Sequence, residues 1–213
     1  MRYSPEHKAA SREALVRAAA RVIRERGFDG VGVDQLSKAA GLTSGSFYKH
    51  FDTKAQVLLE VARAGIDRVA ARIRRIRSSP TLDPVGGWVN DFASLHTSST
   101  HLQETGRGCN LPALTPEIVR ADGETKEAYE ESVRRAVDAM LEEAPLEGEE
   151  DGRARALAML ALLAGGASMA RAVADEKLSA EIAESVRLAC VTIATASLAT
   201  TPRSGIVWTP SDF

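Results

Sequence analysis

The sequence predicts an all-α protein of about nine helices: a small N-terminal three-helix unit followed by a larger helical domain. Three observations lead there. Hydrophobic residues make up 44% and charged residues 26% of the 213-residue chain, the balance of a soluble globular protein of one large or two small domains. Five Phe, three Tyr and two Trp leave the core to Ala and aliphatic side chains, which suit helix packing better than a sheet. Apolar residues recur at three- and four-residue steps between cap and stop signals along most of the chain.

Taken in order, Ser4-Pro5 opens the first helix, with Leu15, Ala18, Ala19, Val22 and Ile23 on its apolar face and Arg26-Gly27 as its stop. After Phe28-Asp29-Gly30, a short helix runs from Val33 to Ala40 and Gly41 closes it in a left-handed cap. Leu42-Thr43 connects it to a second short helix over 45–50, capped by Ser44. Thr53 caps a long helix reaching about Arg77, with Leu59, Ala62, Ile66, Val69, Ile73 and Ile76 on one stripe. Ser78-Ser79-Pro80 is the expected break.

Asp83-Pro84 opens the next helix, carrying Trp88, Phe92, Leu95 and His96. The Ser/Thr-rich stretch 97–108 reads as loop. Two helix starts compete after it: Asn110 with Pro112, or Thr115-Pro116-Glu117, which is the stronger signal. A helix through Tyr129, Val133, Ala136, Val137 and Met140 ends near Pro145. The acidic stretch 146–152 lacks the spacing and turn Gly of a calcium loop and reads as a solvated loop. The last two helices, about 153–174 and 179–200, are the most apolar. The second sets Ile182, Val186, Ala189, Ile193 and Ala196 at heptad-like steps, and such helices need burial on more than one side. Pairing through about 153–200 with a second copy, helped by Gly165-Gly166, meets that need. The tail 202–213, with Trp208, shows no period.

Charge is uneven. Residues 1–77 hold 16 Lys/Arg against 8 Asp/Glu, and residues 78–213 hold 11 against 21. A basic third on an acidic body is the pattern of a chain that meets a polyanion at one end. The longest uncharged stretches, 156–170 and 188–202, are 15 residues each, short of the roughly 20 needed to span a bilayer. With no apolar leader at the N-terminus, the expected location is cytoplasmic, without a membrane partner. Catalytic constellations (HExxH, a Walker loop, GxSxG, a His-Cys pair) are missing, and no His has Glu three residues before it as a di-iron bundle requires. The reading is therefore a non-enzyme without cofactor or metal.

Two short helices joined by a Gly-containing turn and preceded by a longer helix form a helix-turn-helix, whose second helix enters the major groove of DNA. Thr43, Ser44, Gly45 and Ser46, small and hydrogen-bonding, stand where base edges are met. Tyr48, Lys49, His50 and Lys54 suit phosphate oxygens, and Phe47 and Phe51 suit the small core.

These motifs, Phe28-x-Gly30, Val33-Asp34-Gln35-Leu36, Ala39-Ala40-Gly41-Leu42 and the run from Ser44 through Phe51 to Lys54, resemble the N-terminal domain of TetR-family transcriptional regulators. The likeness is close over about residues 10–60 and extends to the whole chain through its helix layout. One departure is Gly32, where the family usually caps the first short helix with Thr. The resemblance implies a DNA-binding domain over 1–54 and a ligand-binding and dimerisation domain over 55–213. It also implies a homodimer on a palindromic double-stranded operator, acting as a repressor that a small-molecule inducer releases.

Apolar pockets with a few polar groups hold such ligands, and the candidate lining is Trp88, Phe92, His96, Cys109, Leu111, Leu114, Tyr129, Val133, Met159 and Leu163. Gly108-Cys109 resembles a Gly-Cys pair that precedes the sixth helix in some family members, where the thiol senses electrophiles or oxidants. The continuation Asn110-Leu111-Pro112 differs from theirs. Cys109 is therefore read as a pocket-lining residue or as a thiol made reactive by a helix N-terminus and Arg107. Cys190 is read as core. Alternatives from other classes are a partner-controlled regulator and an architectural DNA binder, the latter marked by weak sequence preference and steep salt dependence.

Overall fold

The computed structural model describes residues 5–78, 87–142 and 149–195, and every regular element among them is helical. These are α1 (Pro5–Arg26), α2 (Val33–Ala39), α3 (Ser44–Phe47), α4 (Lys54–Arg77) and α5 (Gly87–Thr97), then α6 (Ser99–Gln103) and a 3-10 turn at Thr105–Arg107. α7 (Asn110–Val119), α8 (Gly123–Leu141), α9 (Glu149–Ala172) and α10 (Glu176–Thr195) complete the chain. The anticipated cap at Ser4, the helix start at Asp83-Pro84, most of the acidic loop, Ala196 and the 202–213 tail lie outside the described residues, as does the side chain of Ile66.

Local chemistry sets the ends of the first elements. Gly27 (φ 76°) stops α1, its N–H returning to the Ile23 carbonyl at 2.8 Å. Gly41 (φ 71°) stops α2. There the Leu42 N–H reaches the Ser37 carbonyl at 2.9 Å and the Gly41 N–H reaches that of Lys38 at 3.1 Å, the paired bonds of a Schellman cap. At the start of α2, Gly32 supplies no side-chain cap, but the Gln35 side chain accepts from the Gly32 N–H at 3.1 Å.

Four readings of the sequence are corrected. Thr43 rather than Ser44 caps α3: its Oγ1 accepts from the Ser46 N–H at 3.2 Å, while the Ser44 hydroxyl donates to Asp34. The stretch 97–108 is not loop throughout, because Ser98 accepts from the His101 N–H at 3.2 Å and so caps α6. α7 starts at Asn110, not at Thr115. Pro112 falls in its first turn, where no N–H is needed, and Pro116 is carried inside the helix. On α10 the buried line is Ala183, Val186, Cys190 and Ala194, with Ile182, Ala189 and Ile193 at its margin. Close approach of α9 sets that rotation, since a Cβ on Gly166 would lie 2.3 Å from Val186 Cγ2.

Two apolar cores result. The first gathers Leu15, Ala19 and Ile23 of α1, Val31, Leu36 of α2, Phe47 and Phe51 around Val57, Leu58, Val61 and Ala62 of α4. Burying the Val, Leu, Ile and Phe side chains among these stabilises by roughly 1.5–3 kcal/mol each. The second gathers Val69, Ala70 and Ile73, further along α4, with Trp88, Phe92, Met140, Met159 and Val186, Cys190 and Ala194 of α10. α4 therefore runs through both, and Ser132 of α8 ties to it by donating to the Ala62 carbonyl at 3.1 Å. α7 also serves both: Leu111 belongs to the second core, Leu114 and Ile118 to the first.

Candidate DNA interface and effector cavities

Thr43 and Gly45 lie exposed at the start of α3, and Ser44 and Ser46 are half-buried. Their hydroxyls are held in place before any DNA arrives, Ser44 on Asp34 and Ser46 within 3.0 Å of Thr43 Oγ1. Tyr48 follows, 59% exposed and edge-on to the Phe47 ring at 5.3 Å. Lys49 is exposed and His50 half-buried. The His50 pKa is lowered by burial and by the neighbouring cations Lys8, Arg12 and Lys49, so basic side chains of α1 and of the recognition segment converge there. Phe47 and Phe51 are buried. Lys54 is turned inward: its Nζ donates to the Phe28 carbonyl at 2.9 Å and the Val31 carbonyl at 3.2 Å and lies 4.1 Å from the Phe28 ring centroid. Two of its three donors thus hold the α1–α2 turn.

Phe92, His96, Cys109, Leu111 and Leu163 line one apolar cavity with Val69, His101, Pro112 and Leu160. Its free volume is about 10 Å³, no more than a single water fills. Trp88, Val133 and Met159 sit elsewhere in the second core. Leu114 faces the first core instead, since α7 rises about 1.5 Å per residue and crosses from one core to the other along its length. Tyr129 lies between the two and its hydroxyl pairs with Thr115 Oγ1 at 2.6 Å.

A second cavity of about 100 Å³ opens beside the first and shares Val69, His96 and Cys109 with it. Its other walls are Arg24 of α1, Arg68 and Arg72 of α4, and Arg107, Gly108 and Asn110. The sequence names His96, Cys109 and, beside the thiol, Arg107, but not Arg24, Arg68 or Arg72. A signal existed: Arg68 and Arg72 stand four apart on α4, and no Asp or Glu lies three or four residues from either. His101 was missed as well. Its Nε2 accepts from the Cys109 N–H at 3.1 Å, which puts the ring proton on Nδ1.

Burial brings both His96 and His101 down to about 4, so both rings are neutral near pH 7. Burial pushes the Cys109 thiol above its ordinary value against the pull of Arg72, Arg171 and Arg24. The start of α7 does place this thiol at a helix N-terminus, yet desolvation outweighs the cations. Cys190 is buried in the second core and its thiol is pushed up to about 11. No group of three or more metal-ligating side chains occurs among the described residues, and no helix there is long and apolar enough to cross a membrane.

A long α1, two short helices joined by a Schellman turn and a recognition start of small polar residues define a helix-turn-helix protein. Residues 15–61 match the family model for bacterial regulatory proteins of the tetR family. Over that segment the chain is similar to the TetR family. Over 78 residues it is 33% identical to the HTH-type transcriptional repressor KstR2 of Mycolicibacterium smegmatis, a match covering 37% of this chain and 38% of that relative. The fold is shared more widely. A TetR transcriptional regulator from Legionella pneumophila superposes with a TM-score of 0.69 at 16% identity, over 89% of this chain and 99% of that one. The reduced form of NemR from E. coli superposes with a TM-score of 0.65 at 21% identity, over 85% and 95%.

Proposed function

We propose that this protein is a transcriptional repressor that binds a two-fold operator as a homodimer and leaves it when a small molecule enters the second core. The observation carrying this reading is the double membership of α7. Leu111 and Pro112 in its first turns line the apolar cavity, while Leu114 and Ile118 pack in the DNA-binding core. Polar ties reinforce the link. Arg24 of α1 donates to Asn110 Oδ1, and by its Nε to the Gly106 carbonyl at 3.1 Å. Glu117 accepts from the Phe28 N–H at 3.2 Å. A ligand that widens the closed cavity displaces α7, and α7 cannot move without shifting α1 and the recognition segment. Coupling of this kind is on the order of 1–3 kcal/mol.

Thr43, Gly45 and Ser46 meet bases in this reading, and Tyr48, Lys49 and His50 meet phosphates; Lys54 supports the turn behind them. The dimer face is argued from exposed apolar side chains on the last two helices: Leu157 and Met169 of α9, Leu178 and Leu188 of α10. Ligand gating is preferred to a thiol switch at Cys109 because burial holds that thiol protonated.

The test is binding of purified protein to labelled DNA from upstream of its own gene, with unrelated DNA in excess, alongside sedimentation to fix the oligomer. A dimer whose binding survives the competitor supports the reading. Binding that competitor abolishes, with a steep salt dependence, points to an architectural binder.

A further inference from the structure

We propose that Arg68 and Arg72, backed by Arg24 and Arg107, form an oxyanion site for the carboxylate or phosphate head of the effector, a reading that rests on ligand-gated release. The argument begins from unbalanced charge. Four guanidinium groups line one cavity whose wall holds no carboxylate. Among the described residues Arg68 and Arg72 have no ion pair. Arg24 gives its hydrogen bonds to neutral oxygens, those of Gly106 and Asn110. Arg107, facing solvent on its other side, pairs with Glu104 of its own turn at 3.2 Å. By contrast Arg74, two residues beyond Arg72, reaches Glu142 at 2.7 Å, and Arg63 reaches Glu60 at 3.1 Å. Arg63 and Arg74 on α4 thus find carboxylates, and Arg68 and Arg72, which face this cavity, find none among the described residues.

The cations feel one another. The Arg24 pKa is lowered to about 10, chiefly by burial and next by Arg68. With His96 and His101 neutral, arginine supplies the charge, and planar guanidinium forks match a carboxylate or phosphate.

Size narrows the ligand. A water takes about 30 Å³, so a cavity of about 100 Å³ has room for a head group, whereas whole ligands fill roughly 300–1,000 Å³. The remainder must go elsewhere, and the shared wall of Val69, His96 and Cys109 leads into the apolar cavity between Phe92, Leu111 and Leu163. An anionic head fits the charged cavity, and an apolar chain attached to it would have to widen the closed apolar cavity of about 10 Å³, whose lining suits it chemically. The head would sit between α1, α4 and the start of α7, the elements through which release is transmitted.

The experiment is calorimetric titration of the full chain, without DNA, with octanoate, inorganic phosphate and uncharged 1-octanol. Wild type should bind octanoate or phosphate, the tighter of the two naming the head group. R68Q/R72Q should weaken that binding at least tenfold and R74Q should leave it unchanged. Without added anion, the melting temperature of R68Q/R72Q should equal or exceed that of wild type, since only like charges are removed. The site is overturned if neither anion binds wild type, if R68Q/R72Q binds as well as wild type while folded, or if 1-octanol matches octanoate. Parallel DNA-binding assays separate the two readings. Release by an uncharged compound with no anion binding overturns the oxyanion site alone. Arginine-dependent octanoate binding that leaves DNA affinity unchanged overturns its role as effector site and the ligand gating with it.

Discussion

The two ends of α4 handle charge in opposite ways. In its first half, Lys54 is fixed on two backbone carbonyls and Arg63 and the nearby Arg12 are paired with Glu60. That half packs into a core whose ends are set by local caps. Around its second half, Arg68 and Arg72 point into a cavity without a countercharge, beside two buried neutral imidazoles and the half-buried Cys109 thiol. A region that must present one rigid surface satisfies its polar groups internally. A region that must accept something leaves polar groups for the guest to satisfy.

The strongest way to break this contrast is at α7, where the two regions meet. Leu114→Ala removes a side chain that is 1% exposed in the first core, and should cost about 2–5 kcal/mol in urea unfolding. Because Leu114 touches neither cavity, octanoate binding to the folded variant should be spared while release of DNA becomes less responsive. Loss of anion binding in folded L114A would dissolve the distinction between the regions.

Acid probes the second region through His96. His96 is buried with its pKa near 4 against an ordinary 6.5, so between these values the unfolded chain holds the extra proton and stability falls as pH drops. The loss from His96 should approach about 3 kcal/mol between pH 6.5 and 4. Unfolding free energies of His96→Gln should fall by that much less over the same window. An equal pH dependence in wild type and variant would refute the assignment.

Two adjacent glycines give a finer test. Gly166→Ala would drive a Cβ to 2.3 Å from Val186 and should cost about 1–3 kcal/mol. Gly165→Ala meets nothing within 4 Å, so the monomer should gain up to about 1 kcal/mol. If Gly165 lies in the dimer face, sedimentation of that variant should show weakened association despite the added helix propensity.

The smallest effects belong to the first region. Thr43→Ala removes the α3 cap and should cost about 1 kcal/mol, with weaker DNA binding read by gel shift. Gly32→Thr places a capping hydroxyl where a Cβ meets nothing within 4 Å; a gain of a few tenths of a kcal/mol is expected in thermal unfolding.

The sequence by itself determined the helical class, the helix-turn-helix and the stops at Gly27 and Gly41. Each rests on neighbours within about six residues, where cap chemistry and period are written directly. It also brought Phe92, His96, Cys109, Leu111 and Leu163 together as candidates, because apolar residues flanked by a His and a Cys stand out in a polar stretch. Tertiary structure alone decided the rest. Whether Lys54 faces phosphate or carbonyls depends on the turn at Phe28, and whether Leu114 lines the cavity depends on the direction in which α7 crosses. The start of α7 at Asn110 is fixed by partners on α1 rather than by the stronger local signal at Thr115. The arginine-lined cavity joins residues 24, 68, 72 and 107, whose meeting no local rule encodes, since burial and pairing of charge are set by what packs across from them.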